Sequence, residues 1–178
     1  MQAKAALRVL IVRLGAMGDI IHALPASALL RKALPGADLS WVIEEQWTPL
    51  LASNPDIDHV MGLPIRRWRK QMARPATWRV IGSWKRHLRQ GGFDAAIDFQ
   101  GLLKSACVAH LSRADAVFGF ARGALRESAA GAFYSRRVDS ASTHVVEKNL
   151  DLAWGVVVSL ETGTGSLARR SDMAVTFR

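Results

Sequence analysis

A carboxylate framed by glycines is the residue best placed for chemistry in this 178-residue chain. Gly15-Ala-Met-Gly18-Asp19 follows the apolar run Leu7-Arg-Val-Leu-Ile-Val-Arg13 and leads into Ile20-Ile-His-Ala-Leu-Pro-Ala26. The run predicts a parallel strand covered on both faces. Gly15 and Gly18 predict a sharp turn that leaves room for a ligand against the main chain. Asp19 then stands at the carboxyl end of the first strand, where open α/β sheets bind their ligands. A carboxylate there can take a proton from a hydroxyl group. It can equally cap the following helix, whose positive end favours it. The two roles compete, because a helix terminus lowers the carboxylate's affinity for protons.

A second group is cationic. Arg66, Arg67, Arg69 and Lys70 surround Trp68. Arginine forks bind carboxylates and phosphates bidentately; the plainer reading is a solvated basic loop. The chain carries 24 Lys/Arg against 15 Asp/Glu, a net charge of +9. All of that excess lies between Arg66 and Gln90, which holds nine basic residues and no acidic one. A block so local points to one anionic partner: nucleic acid, anionic lipid, or a phosphorylated and carboxylated sugar. The interleaving of Arg and Trp over 66–84 suits phosphate contacts plus base stacking, so a basic α/β nucleic-acid module without catalysis is the alternative reading. Arg74, Arg79, Lys85, Arg86 and Arg89 share a predicted helix with an apolar face of Val80, Ile81, Trp84 and Leu88, with Trp78 at its edge. That face can pack on a sheet or lie on an anionic membrane surface.

A third group ends the segment Phe93-Asp-Ala-Ala-Ile-Asp98-Phe-Gln100-Gly101. Gln100 and the amides that open the next helix can hold a sugar hydroxyl or a phosphate, with Lys104 one turn on. Asp98 reads as a structural turn residue. The single cysteine, Cys107, excludes an intramolecular disulfide and reads as buried and inert. The five histidines do not cluster, and His144 with Glu147 is too few ligands for a metal site.

Strands and helices must alternate to bring these groups together. Strands are expected at about 7–13, 39–44, 58–62, 94–98 and 115–119, and helices at about 19–33, 46–53, 74–90, 101–112 and 143–159. This order predicts a doubly wound, Rossmann-like parallel sheet of α/β class. Pro25 predicts a kink near Ala23-Leu24 or a helix that stops and restarts. Residues 120–142 promise little regular structure beyond a short helix near 124–132, and Thr143 is the expected N-cap of the last helix. Residues 1–160 read as one domain. Residues 161–178 read as a linker followed by the start of another domain, with a strand beginning near 173–177. Gly163-x-Gly165 lacks the βαβ setting of a dinucleotide fingerprint. No apolar run nears the ~20 residues that span a bilayer. Residues 1–14 lack a signal-peptide layout, so a cytoplasmic location is expected.

The motifs also carry a resemblance. Gly15-x-Met-Gly-Asp-x-x-His-x-Leu-Pro-Ala26 is followed in order by Trp41-Val-Ile-Glu-Glu45, Ile65-Arg-Arg-Trp-Arg-Lys70, Phe93-Asp-Ala-Ala-Ile-Asp-Phe-Gln-Gly-Leu102, Arg126-Glu and Phe133-Tyr-Ser-Arg136. Together they resemble the ADP-heptose:lipopolysaccharide heptosyltransferases of glycosyltransferase family 9, and the Arg-Arg-Trp-Arg-Lys block is most similar to the heptosyltransferase I branch. The resemblance implies the N-terminal, acceptor-binding half of a GT-B enzyme. Such an enzyme transfers heptose with inversion from ADP-heptose to a Kdo-containing lipid A acceptor. It implies Asp19 as the base, with Gly15, Gly18, Arg66, Arg67, Arg69, Lys70, Gln100, Lys104 and Arg126 around the acceptor. Ser128 stands where the family often has proline. The resemblance further implies no metal and no cofactor beyond the donor substrate. It places the donor in a second domain, which makes this chain inactive alone, and suggests a peripheral position on the inner face of the cytoplasmic membrane.

Overall fold

In the computed structural model, residues 6–162 are described; the glycine pattern at 163–165 and the strand expected at 173–177 lie outside them. The chain runs β1 (Arg8–Val12), α1 (Met17–Ile21), α2 (Leu24–Ala33), β2 (Asp38–Glu44), β3 (His59–Leu63), α3 (Ile65–Lys70), α4 (Pro75–Gln90), β4 (Ala95–Asp98), α5 (Leu103–Leu111), β5 (Ala116–Phe120), β6 (Arg136–Val138) and α6 (Val145–Thr162). Three 3-10 turns lie at Glu45–Leu50, Arg122–Ala124 and Ser128–Phe133. The sheet order is β3-β2-β1-β4-β5-β6, and every neighbouring pair is parallel. This is the Rossmann-like order, and its strand sequence reverses between β1 and β4.

The central strand explains the layering. Val9, Leu10, Ile11 and Val12 are all fully buried. Side chains alternate across a strand, so Val9 and Ile11 pack with Leu30, Leu152 and Val156 of α2 and α6. Leu10 and Val12 pack with Leu88, Ala106 and Ala109 of α4 and α5 on the other face. No polar residue is needed on either side, which is why the run reads as continuously apolar.

The expected helix at 19–33 is two helices. α1 closes at His22, and α2 begins with Pro25 in its first turn, where a missing amide costs nothing. The expected helix at 46–53 is only the 3-10 turn at Glu45–Leu50, which contains Pro49. The basic block, which lies in none of the expected elements, forms the short helix α3. Its Ile65 and Trp68 pack inward while the four cations stay exposed. β6 was not foreseen in residues 120–142. α6 starts at Val145, with His144 Nδ1 accepting the Val146 N–H at 3.3 Å, so His144 and not Thr143 caps it. It runs to Thr162, two residues past the expected domain boundary.

The helix expected at 74–90 packs on the sheet through a shifted stripe. Thr77 and Leu88 are buried, and the Trp84 indole donates to Gly62 O at 3.0 Å. Val80 and Trp78 point outward, so Val80 is not on the packed face. Cys107 is half-buried, and burial pushes its thiol up, away from the reactive thiolate. Among the described residues, no helix is long and apolar enough to cross a membrane.

Gly119 of β5 makes room for Tyr134, whose ring lies only 2.2–2.4 Å from where a Cβ would stand. The ring cannot swing away freely, because its hydroxyl donates to Asp98 Oδ2 at 2.7 Å. Gly119→Ala is therefore expected to lower the urea midpoint by the equivalent of about 1–3 kcal/mol, as overpacked cores do.

Candidate active site

Asp19 is held by two arginines at the carboxyl edge of the sheet. Its Oδ1 lies 3.0 Å from Nη2 of Arg13, and Arg126 forms a fork with Nη1 3.0 Å from Oδ2 and Nη2 3.1 Å from Oδ1. Asp19 is the third residue of α1, and no side chain caps that helix. The capping role is therefore not the one its carboxylate performs. Partial burial pushes the Asp19 carboxyl up, but hydrogen bonds from Arg126 and the charges of Arg13 and Arg126 outweigh it. The group sits below the usual carboxylate range and is ionised at neutral pH.

Arg13 is the residue that sequence reasoning missed. It closes the apolar run of β1 yet is buried, its Nη1 donating to Phe99 O. Trp41 Nε1 donates to the Arg13 carbonyl at 3.1 Å. A charged residue ending an otherwise apolar strand was the available signal.

The loop that delivers Arg126 is tied to the start of α5. Glu127 N–H donates to Gly101 O at 3.1 Å, and Leu103 N–H donates to Glu127 Oε2 at 2.6 Å. Gly101 adopts φ +67°, a left-handed conformation that favours glycine, and its missing Cβ would stand 3.5 Å from the Arg126 nitrogen. The loop thus closes over Gly101, with Ser128 following Glu127.

The amides of the turn that leads into α5 are engaged within the fold. Asp98 Oδ1 accepts the Gln100 and Gly101 N–H groups at 2.8 and 3.2 Å, and Ser105 Oγ accepts that of Leu102. Gln100 is buried, and its Oε1 accepts the Leu14 N–H at 2.9 Å. The Gln100 oxygen and the Gln100, Gly101 and Leu102 amides, expected to hold a sugar, are instead bonded within the fold and shape the turns beneath Asp19. Asp98 is structural, as expected; Ser105 and Tyr134 donate to its Oδ2. Burial pushes the Asp98 carboxyl up against these four donors, and burial beside Asp98 pushes the Tyr134 phenol far up, which keeps it a donor.

Glu44, at the end of β2, gathers the expected cations into a second cluster. Lys104 Nζ is 3.3 Å from its Oε1, Arg66 Nε is 3.5 Å from its Oε2, and Gln46 donates to Oε2 at 3.3 Å. Arg66 and Arg67 line a cleft of about 220 Å³ with Glu44 and Gln46. Arg69 and Lys70 are exposed on α3 outside that cleft. Gly15 lies against the Trp47 indole, 3.1 Å from where its Cβ would be, whereas Gly18 has nothing within 4 Å and faces open space. Neither uses a left-handed φ. The Asp19 triad and the Glu44 cluster therefore share one edge of the sheet.

Comparison with known proteins gives this edge a family. The glycosyltransferase family 9 (heptosyltransferase) model matches residues 81–168. Lipopolysaccharide heptosyltransferase 1 of Pseudomonas aeruginosa is 38% identical over 152 residues, which are 82% of this chain and 41% of that protein. Over most of its length the chain is similar to the heptosyltransferases of glycosyltransferase family 9. The corresponding protein of Escherichia coli K12 is 33% identical, again over 82% of this chain and 46% of its own length. The solved structure of E. coli heptosyltransferase WaaC with ADP superposes with a TM-score of 0.78 at 33% identity, covering 84% of this chain and 47% of that one. E. coli ADP-heptose lps heptosyltransferase II, at 21% identity and a TM-score of 0.62, shares the fold. The chain thus spans less than half the length of the curated relatives it matches. The fold is that of a GT-B heptosyltransferase half.

Removing the fork should be visible in the titration of Asp19. In Arg126→Ala the carboxyl is expected to titrate at higher pH than in the parent, read by carbon-13 NMR of its side chain. The parent's lowered value means that Asp19 stabilises the fold above the ordinary carboxylate value of 3.8 and loses that contribution as pH falls through its own lower value. The variant should lose its share earlier on acidification. The difference should stay within about 1 kcal/mol, because Arg126 is half exposed.

Proposed function

We propose that this chain forms the acceptor side of an inverting heptosyltransferase and supplies its general base. The carrying observation is the ionised Asp19, pinned by Arg13 and Arg126 at the topological switch point, beside a ridge of cations. In this reading a hydroxyl of a Kdo-containing lipid A acceptor rests against Asp19, which takes its proton as that oxygen attacks the anomeric carbon of ADP-heptose and ADP leaves. Inversion follows from attack on the face opposite the leaving group. The acceptor's carboxylate and phosphate groups meet Arg66, Arg67 and Lys104, with Arg69 and Lys70 further out along α3. The donor is held opposite, by a second domain for which the relatives' greater length leaves room. A nucleic-acid module would leave the Asp19 triad without a purpose.

The outer face of α4 supports a peripheral position on an anionic membrane. Trp78 is 55% exposed and Met72 44%, joined by an indole N–H donating to Met72 O at 2.9 Å. Exposed Arg74 and Arg79 flank them. Such apolar anchors among cations suit the interface of anionic lipids.

Two measurements test the reading. Calorimetry with a soluble phosphorylated Kdo disaccharide should show saturable binding that weakens about tenfold in the Arg66→Ala/Arg67→Ala double variant, about 1.4 kcal/mol; unchanged affinity would remove the cationic ridge from the acceptor site. In an enzyme joining this chain to a donor-binding domain, Asp19→Asn should cut transfer about 10²–10⁴-fold and leave acceptor affinity nearly unchanged. Full activity in that variant would end the base assignment.

A further inference from the structure

Behind Asp19, toward α6, lies a separate cavity of about 170 Å³, lined by Arg13, Gln100, Arg126, Lys148 and Asn149 with Phe99 as an apolar wall. Three of its lining side chains are cations and none is a carboxylate. Val145, Lys148 and Asn149 belong to the opening turns of the 18-residue α6, the positive end of that helix. Asn149 is only 1% exposed: its Nδ2 donates to His22 O at 2.9 Å, while its Oδ1 is buried with no partner. Nε of the buried Arg13 is likewise without a partner. A buried acceptor and a buried donor left unmatched in one place are costly. A group carrying both anionic oxygens and a hydroxyl would match them.

We propose that this cavity is a subsite for a small oxyanion, a carboxylate or phosphoryl group bearing an adjacent hydroxyl. Arg13, Arg126 and Lys148 face its charge, and Asn149 accepts from its hydroxyl. The subsite stands on its own lining and does not require the transfer reaction. Its consequence does rest on that reading: an oxyanion seated here shares Arg13 and Arg126 with Asp19, loosening their hold on the carboxylate and making it a stronger base. Occupation of this cavity and readiness of the base are then coupled through the two guanidiniums.

The test is titration of the full chain with inorganic phosphate and, separately, with free Kdo as a hydroxylated carboxylate, followed by amide shifts and calorimetry. The expected result is saturable binding that shifts the amides of Lys148 and Asn149. Lys148→Ala should weaken it five- to tenfold at an unchanged melting temperature, with Lys148→Gln behaving alike and Lys32→Ala on α2 like the parent. Binding of both probes in competition supports the shared oxyanion chemistry. Binding of Kdo alone assigns the group to a sugar acid, and of phosphate alone to a phosphoryl group. Absence of saturable binding, meaning that water alone fills the cavity, would overturn the proposal. So would binding indifferent to both Lys148 variants but lost in Arg69→Ala, which would place the anion on α3. The cavity is read from the Lys148 variants and the cationic ridge from Arg66→Ala/Arg67→Ala, so the two readings fail separately.

Discussion

The edge of this sheet depends on a buried cation. Arg13 ends the central strand among apolar neighbours, and its guanidinium must be matched or the fold pays for an isolated charge. Burial pushes Arg13 down from its ordinary value, while the neighbouring Asp19 charge holds it up. Its partners are the Phe99 carbonyl after β4 and the Asp19 carboxylate after β1, so one side chain ties together the two segments that flank the switch point. Replacing a buried pair by apolar residues can be neutral for stability, whereas removing one partner is not. The pairing is therefore better understood as fixing where Asp19 stands than as strengthening the core.

Around this tie the rest of the edge is organised by a second buried carboxylate. Asp98 takes donors from Gln100, Gly101, Ser105 and Tyr134 and closes the turn after β4. That turn presents Gln100 to the Leu14 amide and supports the loop carrying Arg126. Glu44 does comparable work for Arg66 and Lys104. Acidic side chains at the ends of β2 and β4 thus hold the turns and cations in place. Asp19, in α1 just after β1, is the most exposed of the three, with 22% of its side chain accessible against 12% for Glu44.

Much of this was legible in the sequence where one pattern decides one structure. The apolar run at β1 and the alternation of elements give the parallel sheet, and Pro25 gives the broken first helix. Asp19 and the cations of 66–70 stand out by residue type and spacing and Arg126 by its motif, and the fold pairs Asp19 with Arg126 and Arg66 with Glu44. Tertiary pairings were not legible. Arg13 looked like a strand-ending charge, and only the fold reveals its burial against Phe99. Gln100 looked like a ligand-binding amide, but its oxygen is consumed by Leu14, some eighty residues away in sequence. α3 was missed because its four cations hide the Ile65–Trp68 pair that packs inward. The Thr143 cap failed because the His144 ring nitrogen reaches the Val146 amide instead.

The most direct test is a structure of the chain with a phosphorylated Kdo disaccharide bound. The account predicts a sugar hydroxyl within hydrogen-bonding reach of Asp19, with the ligand's anionic groups on Arg66, Arg67 or Lys104. A ligand seated on the outer face of α4, or at the edge but with no hydroxyl near Asp19, would contradict it.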